Sequence, residues 1–229
     1  MNDTVQTRPS VSGDAGRGQP TRERILDAAE ELFGQHGLEG TSLRQITKAA
    51  GVNLAAVNYH FQSKEALLRE VVARRIEPLN HRRLELLEEA ERAAAPNAPS
   101  LDSILNALLV PVVELHSSAA NFVPIMGRMY TEPGVLIDAF IKEHIMPMVA
   151  RVLPLLQRAL PDLSATDIQW RMHFTFGAVA HVMAGAALIR AISGGKSDPS
   201  DTDTVRRQLI PFLVAGFSAA PEPGGKAVS

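Results

Sequence analysis

The stretch Thr41 to Lys64, TSLRQITKAAGVNLAAVNYHFQSK, constrains this chain more than any other. Ser42 precedes an apolar-periodic run and Gln45 follows three residues later, the capping-box pattern of a helix start. Leu43, Ile46 and Ala50 then share one face at helical spacing. Gly51 ends that helix, because a sharp reversal after a helix favours a residue that tolerates positive φ. Asn53 is placed to cap a second helix, Leu54 to His60, with Val57 and Phe61 spaced to point back into a core. Ser63 caps a third, and Glu65 suits the positive end of its dipole. Helix, tight glycine turn, helix is the geometry of a DNA reader whose second helix lies in the major groove.

The residues around that turn sharpen the reading. Ala28-Ala29, Phe33, Gly37, Thr41-Ser42, Ile46, Ala50-Gly51-Val52, Tyr59-His60-Phe61, Lys64-Glu65 and Leu67-Leu68 together resemble the DNA-binding domain of the TetR family of bacterial transcription repressors. The resemblance covers residues 21 to 70 and lies near the N-terminus, where that family carries its reader. It implies an all-α fold, with an N-terminal three-helix helix-turn-helix domain and a larger helical ligand-binding and dimerisation domain, about nine helices in all. The domain organisation expected from it is a disordered arm over 1–20, the reader over 21–67, the regulatory and dimerisation domain over 68–220 and a flexible tail over 221–229.

Composition sets the outer limits. A chain of 229 residues with 45% hydrophobic and 21% charged residues has the make-up of a globular protein with a sizeable core. It has no cysteine, so neither disulfides nor thiolate metal sites are available. No apolar run is long enough to span a bilayer, and residues 1 to 20 lack the apolar core of a signal peptide, so a cytoplasmic protein without a membrane partner is expected. The formal net charge of −2 is unusual for a DNA binder. Within residues 20 to 75, eight basic side chains (Arg22, Arg24, Arg44, Lys48, Lys64, Arg69, Arg74, Arg75) meet seven acidic ones (Glu23, Asp27, Glu30, Glu31, Glu39, Glu65, Glu70). Bulk charge does not announce nucleic acid; a few well-placed groups on two copies must carry it.

In chain order, the polar, aperiodic residues 1 to 20 read as a disordered arm whose Arg8 and Arg17 touch phosphates at most transiently. Thr21 to His36 is an amphipathic helix with Ile25, Ala29, Leu32, Phe33 and His36 on its inner face, stopped by Gly37. A long helix from Lys64 towards Ala94 buries Leu67, Leu68, Val71, Val72, Ile76 and Leu79, and Pro78 inside it should kink or split it. Ala93 to Ser100 is a loop, followed by a helix over Ser100 to Ala119. Phe122 to Tyr130 is a shorter helix before the turn Thr131-Glu132-Pro133-Gly134. Val135 to Leu160 reads as one helix with Ile137, Phe140, Ile141, His144, Ile145, Met148 and Val152 inward. Ser164 and Asp167 form a second capping box, stapled by Leu163 and Ile168, on a helix that runs to about Ile192. Thr202 to Ser218 is the last helix.

Two features of the body point to function. The helix after Ser164 is apolar on almost every side and rich in small residues, so it needs cover on every side, and a partner subunit is the natural cover in a body this small. The resemblance implies a homodimer through the last two helices, with Gly177, His181, Ala184, Gly185, Leu188, Phe212, Ala215 and Gly216 at the interface. The other feature is the run of large adaptable side chains suited to an apolar small-molecule effector: Phe122, Met126, Met129, Phe140, His144, Trp170, His173 and Phe174 are the candidate ligand-binding residues. Met146, Met148 and Met183 belong to the same run, and Arg171, His173 or His181 would orient a ligand's polar head. Each has plain core packing as its competing role.

On the reader, Leu54, Ala55, Ala56, Asn58 and Tyr59 face outward once Val57 and Phe61 turn in. Asparagine pairs with adenine edges, and Ala or Leu meets a thymine methyl. Arg44 reaches either a guanine or a phosphate. Ser42 and Asn53 complete the candidate DNA-binding set beside their capping roles. The resemblance assigns Tyr59, His60 and Lys64 to the phosphate backbone. Many family members carry tyrosine where this chain has Asn58, which removes a phosphate contact or replaces it by a base contact. A dimer presents two readers to half-sites about one helical turn apart, so a palindromic double-stranded operator is expected. VNLAAVNYHFQSKEAL, with WRMHFTFGA and LIPFLVAGF in the body, is similar to regulators answering long-chain fatty acids or their CoA thioesters.

An enzyme is not expected. The seven histidines form no H-E-x-x-H, and no G-x-S-x-G, P-loop or dinucleotide fingerprint occurs, so no cofactor or metal is implied. A transcriptional activator or architectural binder with the same reader, and a helical scaffold that ignores DNA, are the competing readings.

Overall fold

The computed structural model describes residues 20–220 apart from 120, 132–134 and 185, and among these residues every regular element is helical. The reader is α1 (Thr21–His36), α2 (Leu43–Ala50) and α3 (Leu54–Phe61). A shaft, α4 (Lys64–Ala94), leads into the body: α5 (Leu101–Ser118), α6 (Phe122–Thr131), α7 (Val135–Phe140), a π turn (Ile141–Ile145), α8 (Met146–Ala159), α9 (Ala165–Ala184), α10 (Ala186–Ile192) and α11 (Thr202–Ser218). Arg8, Arg17 and the Glu132-Pro133-Gly134 part of the expected turn lie outside the described residues.

Local chemistry sets the short helices of the reader. Ser42 Oγ accepts the Gln45 N–H at 3.3 Å while the Gln45 side chain takes the Ser42 N–H at 2.7 Å, closing the capping box. Gly51 is left-handed (φ 63°, ψ 39°), which a side chain would oppose. Asn53 Oδ1 accepts the Ala56 N–H at 2.9 Å and Ser63 Oγ the Ala66 N–H at 3.0 Å. Glu65, in the first turn of α4, has its carboxyl held below the ordinary value, first by hydrogen bonding to its own backbone N–H and then by Ser63.

Some expectations change. The helix foreseen over 135–160 is interrupted by the π turn, immediately before Pro147 in the first turn of α8. Proline has no N–H and its ring clashes with the carbonyl one turn back, so the wider turn accommodates both. The register shift leaves Ile141 exposed, whereas Phe140, Met148 and Val152 are buried and His144 and Ile145 half-buried. The helix foreseen to about Ile192 is described as α9 and α10 on either side of residue 185, which lies outside the described residues. The all-helical class expected from the sequence stands. Pro78, on the solvent side of α4, does not split it: the helix is continuous from Lys64 to Ala94. His36 is exposed rather than packed, since Gly37 turns the chain away at once (φ 73°).

Two apolar cores share the shaft. The first joins Ile25, Ala29, Phe33, Ile46, Val57 and Phe61 to Leu67, Val71 and Ile76 of α4, and continues into the body through Phe122, Ile125 and Phe140. The second gathers Leu87 of α4 with Ile104, Leu105, Val152, Leu156, Ile168, Leu209 and Phe217. Between α1 and α4 lies a buried carboxylate. Glu30 receives Arg75 Nη2 at 2.8 Å, Arg75 Nε at 3.1 Å and Arg74 Nη2 at 2.6 Å; Arg74 also reaches Asp27 at 2.7 Å. Arg22 closes the same seam on Glu70 at 2.6 Å. Glu30→Ala would take from Arg75 its carboxylate partner and leave Arg74 with Asp27 and Glu23 alone. Urea unfolding should show a loss of about 3 kcal/mol, the scale of breaking a buried pair; a loss below about 0.5 kcal/mol would mark the clasp as incidental.

Candidate nucleic-acid interface and regulatory body

The outer face of α3 is open. Leu54, Ala55, Asn58, Tyr59 and His60 are exposed, while Val57 and Phe61 close the inner face. Tyr59 is 82% exposed and meets the His60 ring edge-on at 5.1 Å, so its hydroxyl reaches outward from the helix. Arg44 is exposed in the first turn of α2. Four candidates have part of their side chain engaged within the protein. Ala56 is half-buried and packs on the reader core, on the flank rather than the tip of α3. Asn53 spends its carbonyl oxygen on the cap, leaving its amide N–H groups for a nucleic acid, and Ser42 Oγ both accepts from Gln45 N and donates to Gln45 Oε1 at 2.7 Å. Lys64 is half-buried, and its Nζ donates to Leu38 O at 2.9 Å and Thr41 O at 3.2 Å. Two of its three N–H groups therefore hold the α1–α2 connection, and one remains for phosphate.

The near-even charge of the reader hides a separation. Glu23, Asp27, Glu30 and Glu70 are consumed by Arg22, Arg74 and Arg75 along the seam between α1 and α4. Arg44 and Lys48, one turn apart on α2 and both exposed, have no carboxylate partner among the described residues. Lys48 was missed by sequence reasoning; its i,i+4 spacing from Arg44 was the available signal.

In the body, Phe122, Met126 and Phe140 come together around a cavity of about 80 Å³ between α4, α5, α6 and α9. Asn80 and Arg83 of α4 are the polar groups on its wall. Arg83 Nε donates to Leu108 O at 2.9 Å and its Nη1 to Asn80 Oδ1 at 3.0 Å, and Asn80 Nδ2 donates to the backbone oxygen of His144 at 3.0 Å. His144 thus contributes its carbonyl, with its ring 5.5 Å from that of Phe140. Met129 falls outside the described side chains. Trp170, His173 and Phe174 are not at the cavity. The helical period of α9 turns Phe176, Val179, Ala180 and Met183 inward, and those four line it instead. Arg171 is also elsewhere: it donates to Phe217 O, and to Ala219 O at 2.8 Å, capping the end of α11.

The opposite side of α9 is an apolar surface. Trp170 (57% exposed), Phe174 (64%) and Phe212 of α11 (68%) face solvent with Leu188 of α10. Gly177, His181, Ala215 and Gly216 are exposed with them, and a Cβ at Gly177 or Gly216 would touch nothing within 4 Å. Next to them His181, Val182, Leu209 and Phe212 line a groove of about 460 Å³. The Ala184 side chain and Gly185 lie outside the described residues. Among the described residues no cluster of three metal-ligating side chains occurs, and no described helix is long and apolar enough to cross a membrane.

Reader and body meet a second time at the end of α1. Arg128 of α6 donates to Phe33 O at 3.0 Å and Gln35 O at 3.2 Å, placing a cation on the negative end of α1. Gly34 packs so closely that a Cβ there would lie 2.3 Å from Asn121 O.

Comparison with known proteins identifies this arrangement. Residues 25–71 match the family described as bacterial regulatory proteins, tetR family, and residues 106–216 match the tetracyclin repressor-like C-terminal domain. The chain belongs to the TetR family. Its relatives include the HTH-type transcriptional regulator UidR of Escherichia coli strain K12, 27% identical over 80% of this chain and 88% of that one. The HTH-type transcriptional regulator AcrR of Shigella flexneri is 40% identical over 42% of this chain, an alignment spanning only 41% of AcrR. Among solved structures, the fatty acid degradation regulator FadR from Bacillus halodurans superposes with TM-score 0.62 at 16% identity, covering 85% of this chain and 98% of that one. A TetR-family regulator from Bordetella parapertussis gives TM-score 0.62 at 18% identity, covering 87% and 94%. This TetR-family protein is a DNA-binding transcriptional regulator and not an enzyme.

The two backbone candidates should separate on stability. Tyr59→Ala should leave the melting temperature unchanged while weakening DNA binding, because its side chain is almost wholly in water. Lys64→Ala removes two hydrogen bonds from a charged donor and should lower unfolding free energy by about 2 kcal/mol. Equal melting temperatures for both variants would contradict the loop-closing role of Lys64.

Proposed function

We propose that this TetR-family regulator is a repressor that binds a palindromic operator as a homodimer and is released by an apolar or amphipathic effector, with a long-chain fatty acid or acyl-CoA as the leading class. The observation that carries the DNA half is the outer face of α3: five side chains presented to solvent on a helix whose inner face is closed and whose start is capped. Leu54 and Ala55 suit thymine methyls, Asn58 an adenine edge, and Tyr59, His60 and the third Lys64 N–H the phosphates. Arg44 keeps both of its options, guanine or phosphate.

The dimer reading is supported by the apolar face of α9, α10 and α11. An isolated chain does not keep aromatic side chains as exposed as Phe174 and Phe212 on one surface without use for it. Trp170 and Phe174 move from the effector list to this face, beside Gly177, His181, Leu188, Ala215 and Gly216.

The effector reading rests on the cavity around Phe122, Met126 and Phe140. At about 80 Å³ it is smaller than the space an elongated ligand fills, so occupation must displace its walls. Those walls include α4 and α6, the two elements that hold the reader. A ligand binding the displaced form better shifts the population away from the DNA-competent spacing, by no more than its differential affinity. Arg83 and Asn80 supply polar groups for an acidic head. The fold likeness to FadR is in keeping with a fatty-acyl ligand. With DNA-binding regulation as the frame, a cytoplasmic site of action follows.

Footprinting on DNA upstream of its own coding sequence should reveal a twofold-symmetric protected site, and oleoyl-CoA or oleate should abolish it. Protection without symmetry would contradict the dimer; protection that survives both lipids would overturn the effector class and leave the repressor intact. Phe212→Asp should yield a single-copy species in sedimentation with operator affinity lowered by about 100-fold, the scale of lost bivalency.

A further inference from the structure

Arg24 is the one arginine of α1 outside the seam of ion pairs. Its neighbour Glu23 belongs to that seam, and Ile25 is fully buried in the reader core. The Arg24 side chain runs the other way, towards the helix-turn-helix corner: its Nη1 lies 3.8 Å from where a Cβ on Gly51 would stand. The residue is half-buried, and its Nε is shielded from solvent with no hydrogen-bond partner. Among the described residues no carboxylate or carbonyl takes its guanidinium, whereas Arg22, Arg74 and Arg75 each hold at least one carboxylate.

A guanidinium has five donors and cannot discharge itself by losing a proton. Shielding one of those donors without a partner opposes folding, and such groups in native structures call for an explanation. Here the setting supplies one. The corner carries no side chain at Gly51, so a bulky anion can approach the backbone. Lys48, whose carbonyl accepts the Gly51 N–H at 3.3 Å, brings a second cation without a carboxylate partner among the described residues. The carboxylates of α1 and α4 that would compete for Arg24 are already tied up on the other side.

We infer that Arg24 binds one DNA backbone phosphate beside Gly51 in each reader, a contact made from α1 rather than from the helix-turn-helix itself. The contact fixes the reader's depth and angle in the groove and carries no base information, since a phosphate is the same at every step. The inference rests on the DNA-binding reading above and extends it to a residue that the motif does not contain.

The test is a salt titration of binding to two labelled duplexes, one from the protein's own upstream region and one of random sequence, read by fluorescence anisotropy. Arg24→Gln should weaken both complexes by about tenfold at moderate salt, the scale of one charge-assisted hydrogen bond per site. The slope of log affinity against log salt should become shallower by about 0.9 per reader. Arg24→Lys should keep the slope, and Arg22→Gln, which removes a paired arginine, should keep it too. The melting temperature of Arg24→Gln should equal or exceed that of the wild type, because the lost group was unsatisfied in the free protein. An unchanged slope, or a loss of affinity matched by a lower melting temperature, overturns the phosphate contact while wild-type binding stands. Failure of the wild type to bind either duplex even at low salt would instead overturn the DNA-binding reading, and this contact with it.

Discussion

A single carboxylate fixes the reader to its shaft. Glu30 is buried between α1 and α4 and takes hydrogen bonds from both Arg74 and Arg75. An unpaired charge there would be costly, so α1 cannot slide or rotate on α4 without breaking several bonds at once. The same shaft then runs into the body, where Leu87 is fully buried in the second core. Reader and body therefore share one continuous helix. Arg128 supplies a second hold on the far end of α1, and Gly34 allows the contact by leaving no room for a side chain.

This geometry explains how a chain of slightly negative net charge serves as a DNA-binding regulator. Glu23, Asp27, Glu30 and Glu70 are spent on the clasp, which leaves Arg24 of α1 and Arg44 and Lys48 of α2 outside it. Counting charges along the sequence cannot show this, because pairing depends on which side of a helix each group occupies.

Much of the reader was legible in the sequence because its signals are local. The Ser42–Gln45 box, the left-handed Gly51 and the Asn53 and Ser63 caps depend on residues within one turn of each other. The body was legible only in outline. Its helical class followed from periodicity, yet Trp170, His173 and Phe174 were assigned to the cavity although their side of α9 faces outward; a helix apolar all round has no distinguished inside. Long-range contacts were invisible for the same reason. Lys64 meets Leu38 and Thr41, and Arg128 meets Phe33, across separations that no spacing rule covers. The π turn before Pro147 was missed because a continuous apolar stripe masked the break.

The central claim is that two such readers are carried by one symmetric body at a spacing that DNA can fix. The chain has no native cysteine, so a spin label at an exposed α2 position, through Ala49→Cys, reports one site per subunit. Pulsed dipolar spectroscopy should show coupling between subunits in the free protein. On adding upstream DNA, the distance distribution should narrow around a spacing compatible with half-sites about one helical turn apart. Absence of any coupling, or a distribution that DNA leaves untouched, would contradict the account.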